Sequence, residues 1–128
     1  MNLPEYYTPV CPYIVLPSDA EGFIEFIKDV FGAEEKLLEA RDDGSIMHAE
    51  FTLNGGLIMF AHSSDKWAPQ ACGVFLPLED VDGTYAKGIE CGATGNQEPG
   101  DYGYGRAAGF IDPWGNQWWV NSPECSGQ

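Results

Sequence analysis

Basic residues are scarce in this chain of 128 residues: 6 Lys and Arg stand against 20 Asp and Glu, a formal net charge of −14. A surface of that sign repels phosphate backbones and anionic lipid, which excludes nucleic acid and membrane as partners. Such charge serves solubility first, and its sharper use is a field that draws in a cationic small molecule. Long apolar runs are missing too, since none approaches the ~20 residues of a membrane helix. The N-terminus has no basic stretch followed by an apolar core, so no secretory signal is expected. Cysteines are few and scattered, at Cys11, Cys72, Cys91 and Cys125, with no Cys-x-x-Cys pair. That spacing speaks against a disulfide framework or zinc knuckle and for reduced thiols in the cytoplasm. No Gly-x-Ser-x-Gly elbow occurs, and Gly103-Tyr104-Gly105 lacks the strand–turn–helix context of a phosphate loop.

What is present is a turn-rich alternation of strands and helices. After an irregular lead-in over residues 1–9, Cys11 to Leu16 is β-branched and aromatic and reads as a strand. Pro17 ends it, and Ser18 or Asp19 caps a helix from Ala20 to Phe31, in which Phe23, Ile24, Ile27, Val30 and Phe31 recur at helical spacing. Gly32 stops that helix. Strands follow over Glu34 to Ala40, Met47 to Leu53 and Leu57 to His62, with a turn at Arg41 to Gly44 and a hairpin at Asn54-Gly55-Gly56. The polar segment Ser63 to Gln70 reads as a linker. Val74 to Leu78 is then a strand, Glu79 to Cys91 an acid-started helix closed by Gly92, and a loop rich in Gly, Asn and Pro follows. The chain ends on the hairpin Ala107–Ile111, Asp112-Pro113-Trp114-Gly115-Asn116, Gln117–Val120.

The two halves match at a constant offset of 60: Leu16-Pro17 on Leu76-Pro77, Asp19 on Glu79, Gly32 on Gly92 and Gly55 on Gly115. The expected organisation is one domain of two repeats, residues 10–62 and 71–122, each a strand, a helix and three strands. Neither repeat can bury both faces of its sheet alone. An α+β fold follows, with two tandem βαβββ modules forming a curved mixed sheet around a cleft.

A βαβββ unit repeated once and ending in Asp-Pro-x-Gly-Asn resembles the vicinal oxygen chelate superfamily of glyoxalases, extradiol dioxygenases and fosfomycin- and bleomycin-resistance proteins. The PhnB-like branch looks most similar. Its motifs are matched by Pro12-Tyr13-Ile14-Val15, Phe31-Gly32-Ala33-Glu34, Gly44-Ser45-Ile46-Met47-His48-Ala49-Glu50, Tyr104-Gly105-Arg106 and Asp112-Pro113-Trp114-Gly115-Asn116-Gln117-Trp118. The resemblance implies a small-molecule cleft, a homodimer and, in metal-using members, a His on each first strand with a Glu near the end of each last strand. Those positions fall here at Pro12 or Tyr13, Cys72 or Gly73, Met59 and Trp119. A lone thiol and a phenol cannot build a three- or four-ligand sphere, so no metal and no other cofactor is expected.

The candidate ligand-binding residues are therefore Trp119, Met59, His48, Glu50, Tyr104, Arg106 and Trp67. His48 and Glu50 lie two apart on one strand face. They form either a general-base pair, part of a displaced metal site with His62, or a satisfied polar pair, the commonest arrangement. His62, at its strand's end, reads most simply as a cap or turn residue. Trp118 and Trp119 face opposite sides of the sheet, Trp118 into the core and Trp119 into the cleft. Trp67, Tyr102 and Tyr104 sit in loops, where large aromatics often serve binding. Arg106 either meets a ligand carboxylate or neutralises neighbouring acids. The favoured function is a metal-independent protein that binds and sequesters a small cationic or aromatic molecule. The alternatives are a lyase, isomerase or dioxygenase with an unconventional metal site at His48, Glu50 or His62, and an interaction module with an empty cleft.

Overall fold

The computed structural model describes residues 1–123, and the chain divides into two compact units, Met1–Cys72 and Gly73–Gln128. The first unit contains β1 (Tyr13–Leu16), α1 (Ala20–Phe31), β2 (Glu34–Ala40), β3 (Ile46–Leu53) and β4 (Gly56–His62). The second contains β5 (Gly73–Pro77), α2 (Val81–Glu90), β6 (Thr94–Asp101), β7 (Arg106–Ile111) and β8 (Gln117–Ser122). Each unit holds a four-stranded mixed sheet, ordered β1-β4-β3-β2 and β5-β8-β7-β6. In each, the first strand runs parallel to the last and the other neighbours are antiparallel. Two βαβββ modules, the α+β architecture expected from the repeat, are thus present.

Alternation decides which side chains meet the helix. In the first unit Ile14, Leu16, Ala49, Phe51 and Phe60 are buried, and Phe60 meets Phe23 of α1 edge-to-face at 4.9 Å. Helix α1 begins where Asp19 accepts a bond from the Gly22 N–H at 3.0 Å, and it ends at Gly32, whose φ is 71°. The Asn54-Gly55 pair, at φ 52° and 81°, gives the two-residue turn that a right-twisted hairpin prefers. In the second unit Val74, Leu76, Ala108, Phe110, Trp118 and Val120 take the helix-facing role. Helix α2 approaches closely, because a Cβ at Gly88 would lie 2.9 Å from the Phe110 ring. Bulk here sits on the sheet; in the first unit the helix shares it, through Phe23, Phe26 and Ile27.

The closing hairpin is held by one carboxylate. Asp112, 3% exposed, accepts through Oδ1 from the Trp114 and Asn116 N–H groups, both at 2.9 Å. Its Oδ2 accepts from the Trp118 indole at 2.8 Å. The turn residue therefore also fixes the core tryptophan, which is fully buried.

Three expectations need correction. Residues 94–101, read as loop, form β6: an edge strand tolerates Pro99 and the glycines, and its register slips at Gly95/Gln97 and Gln97/Gly100. The helix cap of the second unit is Asp80, which accepts from the Gly83 N–H at 2.9 Å, so Asp19 matches Asp80 rather than Glu79. The offset of 60 also fails in β5, where Gly73 stands opposite Gln117 whereas Tyr13 stands opposite Met59. The partner of Trp119 is Phe75, a two-residue shift of register. Cys11 and Cys91 are free thiols, and Cys125 lies outside the described residues. Among the described residues no helix is long and apolar enough to cross a membrane.

Candidate functional site

On the face of the first sheet turned away from α1, Tyr13, Met59 and Glu50 stand side by side on β1, β4 and β3. Glu50 is only 2% exposed, a costly place for a carboxylate unless its oxygens are hydrogen-bonded. Three donors meet it. The Tyr6 hydroxyl donates to Oε1 at 2.7 Å, the Tyr7 hydroxyl to Oε2 at 2.5 Å, and His48 Nε2 lies 2.8 Å from Oε2. Burial pushes the Glu50 pKa up, but these bonds outweigh it and hold the group below the ordinary carboxylate range. The same bonds push Tyr7 up to about 12. The irregular lead-in is thereby pinned to the sheet.

Glu50 is ionised and can only accept, so His48 must carry its proton on Nε2. In the neutral imidazole the other nitrogen, Nδ1, is the acceptor for the Tyr13 hydroxyl 3.0 Å away. The two rings also stack at 5.7 Å. With His48 neutral, the donors run in one order from Tyr13 through His48 to Glu50. His62, by contrast, is absorbed by the backbone: its ring nitrogens lie 3.1 Å from Ala20 N and 2.8 Å from Ile46 N. A neutral imidazole accepts at one nitrogen only, so one of these contacts is a full hydrogen bond. Both contacts are to backbone N–H groups, as a cap makes them.

Beside this network lies a cavity of about 530 Å³, lined by residues that include Tyr13, Arg41, Met47, Trp67 and Gln70. Gln70 is fixed there by paired backbone bonds to Val15, at 2.9 and 3.0 Å. The segment read as a linker is therefore a wall, and it carries Trp67, 59% exposed. Arg41 donates to the Ser45 hydroxyl at 3.0 Å and to the His62 carbonyl at 2.9 Å. Among the described residues it has no carboxylate within ion-pair distance. A second hollow of about 410 Å³ touches Glu5, Tyr6, Tyr7 and Glu34. It is aromatic and acidic, but Lys36 already stands over Tyr6 at 5.9 Å and pairs with Glu34 at 3.6 Å.

The sequence candidates thus separate. His48, Glu50 and Met59 share one face of the first sheet, and Trp67 lines the cavity with Tyr13. Trp119, Tyr104 and Arg106 belong to the second unit. Trp119, 40% exposed, lies opposite Phe75 and Gly109 on the face away from α2, over Gly73, where a Cβ would come within 2.9 Å of its ring. Tyr104 stacks on Tyr102 at 6.4 Å and accepts from Gln97 at 3.3 Å. Arg106 pairs with Asp82 through Nε and Nη2 at 2.9–3.1 Å, the neutralising role. Sequence reasoning missed Tyr6, Tyr7, Arg41 and Gln70; the adjacent tyrosines of the lead-in were the one available signal.

The donor set does not fit a divalent ion. The positions that the resemblance implies for metal ligands offer a phenol at Tyr13 and a thioether at Met59 in the first unit, and Cys72 or Gly73 with Trp119 in the second. Among the described residues no three His, Cys, Asp or Glu side chains converge. Cys72, the remaining candidate, donates to the Tyr13 carbonyl at 3.3 Å, and burial pushes its thiol pKa up, away from the thiolate a metal requires.

The same architecture recurs in known proteins. An uncharacterised protein of Mycobacterium bovis is 27% identical, the alignment covering 88% of this chain and 81% of that one. The PhnB protein of Bacillus cereus superposes with a TM-score of 0.70 at 19% identity, over 90% of this chain and 99% of that one. A glyoxalase/bleomycin resistance protein from a Streptomyces species gives 0.63 at 23% identity, over 88% and 98%. At these identities the structures speak for the fold alone. Residues 12–120 match the family model directly. The chain belongs to the glyoxalase/bleomycin resistance protein/dioxygenase superfamily.

Proposed function

We propose that the protein binds a flat aromatic small molecule, without a metal, in the cavity bounded by Tyr13, Arg41, Met47 and Trp67. The observation that carries this reading is the cavity itself, about 530 Å³ with two aromatic side chains in its lining. That volume falls within the few hundred to 1,000 Å³ usual for small-molecule sites. Stacking on a ring contributes roughly 0.5–1.5 kcal/mol beyond area burial.

Charge narrows the class further. The chain as a whole is strongly acidic, which favours a cation, but the cavity lining itself carries no carboxylate. Arg41 is its formally charged lining residue, and Lys66 stands 5.4 Å from the Trp67 ring. Local charge at contact distance outweighs a diffuse field screened over about 10 Å. The matched ligand is therefore an aromatic acid rather than a cation. A homodimer, as the resemblance implies, is part of the same reading.

Thermal melting tests it with phenylacetate and phenethylamine, which share a ring and differ in charge. Phenylacetate at a hundred times its dissociation constant adds about 2.7 kcal/mol to the folded state. Nickel, zinc, manganese and iron(II) produce no shift. Stabilisation by a metal, or by the amine alone, contradicts the reading. The metal-dependent enzyme would need His48, Glu50 or His62 as ligands, and their hydrogen bonds already occupy them.

A further inference from the structure

We infer that Tyr13, His48 and Glu50 form a proton relay that opens onto the cavity, so that the site catalyses 1,3-proton transfer on a bound aromatic oxo-acid. The inference rests on the binding site proposed above and assigns it a reaction. Its basis is the order of donors in the neutral imidazole: Glu50 accepts from His48 Nε2, His48 Nδ1 accepts from Tyr13, and Tyr13, whose oxygen keeps its lone pairs, is itself part of the cavity lining.

Burial grades along the chain as a relay requires. Glu50 is 2% exposed, the His48 side chain 25% and Tyr13 40%, so the carboxylate is shielded and the phenol accessible. Tyr6 donates to Oε1 and Tyr7 to Oε2, and these bonds hold Glu50 in place. The Tyr13 and His48 rings also stack at 5.7 Å, a second contact that keeps the two side chains together. A satisfied structural pair would need only His48 and Glu50. Extending the chain to a third, half-exposed group at a cavity wall is the additional feature.

The step balances without a co-reactant. A proton leaves the carbon beside the substrate carbonyl for Tyr13 Oη, while the Tyr13 proton passes to His48 Nδ1. The electron pair of the broken C–H bond becomes the enolate, and the imidazolium faces the Glu50 carboxylate. The proton then returns through Tyr13, either to the same carbon or to the carbonyl oxygen, giving the enol. Nothing is oxidised or reduced, and Tyr13 is a neutral phenol before and after. Burial, the largest influence, and the Glu50 charge raise its pKa against the opposing charge of Arg41, consistent with a phenol that carries protons without ionising. Arg41 supplies the counter-charge for the carboxylate end of the substrate.

Phenylpyruvate, an aromatic 2-oxo acid, is the probe. Incubation in D2O with the metal-stripped protein is followed by proton NMR for exchange at C3, and Trp67 fluorescence reports binding in parallel. The relay predicts exchange about 100-fold above buffer, lost in Tyr13→Phe while quenching is kept. It also predicts that ¹⁵N NMR of the unliganded protein finds His48 protonated at Nε2 and bare at Nδ1. Quenching with exchange at the buffer rate overturns the relay and leaves the binding site standing. Absence of quenching overturns the binding site and the relay with it. Exchange that survives Tyr13→Phe, or a His48 protonated at Nδ1, also overturns the relay.

Discussion

The two units repeat one order of elements, yet they differ sharply on the face turned away from the helix. In the first, that face carries a buried carboxylate, three hydroxyls, an imidazole and a cavity wall. In the second, the corresponding row is Phe75, Trp119 and Gly109. The helix-facing sides differ far less: Ile58 and Phe60 in one unit answer to Trp118 and Val120 in the other, all four buried. That face is fixed by folding, since each sheet must bury one side against its helix. The other face is free to diverge. In this protein the polar chemistry sits in the first unit and an exposed aromatic surface in the second.

If the helix-facing sides are the common structural part, damage there should be the most costly. Trp118→Ala is expected to destabilise by about 3–5 kcal/mol, from the cavity it leaves. It also strands Asp112 Oδ2, which loses its indole donor. Denaturant unfolding checks this; a loss under about 1 kcal/mol would separate Trp118 from the core.

The polar face ranks next. Glu50→Gln replaces an acceptor of three hydrogen bonds with a group that cannot accept them all, an expected loss of about 1.5–3 kcal/mol at neutral pH. Its pH dependence has a definite sign. The folded-state pKa of Glu50 lies below the ordinary range, so its contribution is present above that range and is lost as pH falls through the folded value. Tyr7 is shifted upward, so its contribution holds below about 10 and is lost as pH rises through about 12. Stability curves of wild type and Glu50→Gln should therefore converge in acid. A gap that persists unchanged at low pH would show that Glu50 acts through shape rather than charge.

The smallest effect expected of the three concerns the close helix contact of the second unit. Gly88→Ala places a methyl 2.9 Å from the Phe110 ring, and overpacking of that kind costs roughly 1–3 kcal/mol. An alanine at Phe26, on the bulkier α1, costs through the opposite mechanism, a cavity. The two variants together test whether the helices are seated differently.

Much of this architecture was legible in the sequence. The apolar spacing over Ala20 to Phe31 gives α1 with the observed bounds, and Asn54-Gly55 and Asp112–Asn116 give both hairpins, because local chemistry dictates them. Strand β6 was not legible, since its Gly and Pro content signals loop and only the neighbouring β7 makes it a strand. The site was half legible. His48 and Glu50 stand out as a pair, but the two tyrosines that bond Glu50 are 43 and 44 residues away in an irregular segment. Contacts of that span leave no periodicity. For Arg106 the sequence left a ligand contact and neutralisation both open, and its partner Asp82, 24 residues earlier, was not legible for the same reason. Trp67 was noticed, whereas its setting depended on the bridge from Gln70 to Val15, which no local pattern encodes.

Fluorescence titration of chelator-treated protein with phenylacetate tests the central claim, a metal-free aromatic-acid site in the first unit, most directly. Saturable quenching in the wild type that disappears in both Trp67→Phe and Arg41→Gln, with Trp119→Phe behaving as wild type, is the predicted result. Quenching that requires an added divalent ion, or that vanishes with Trp119 and survives loss of Trp67, would contradict it.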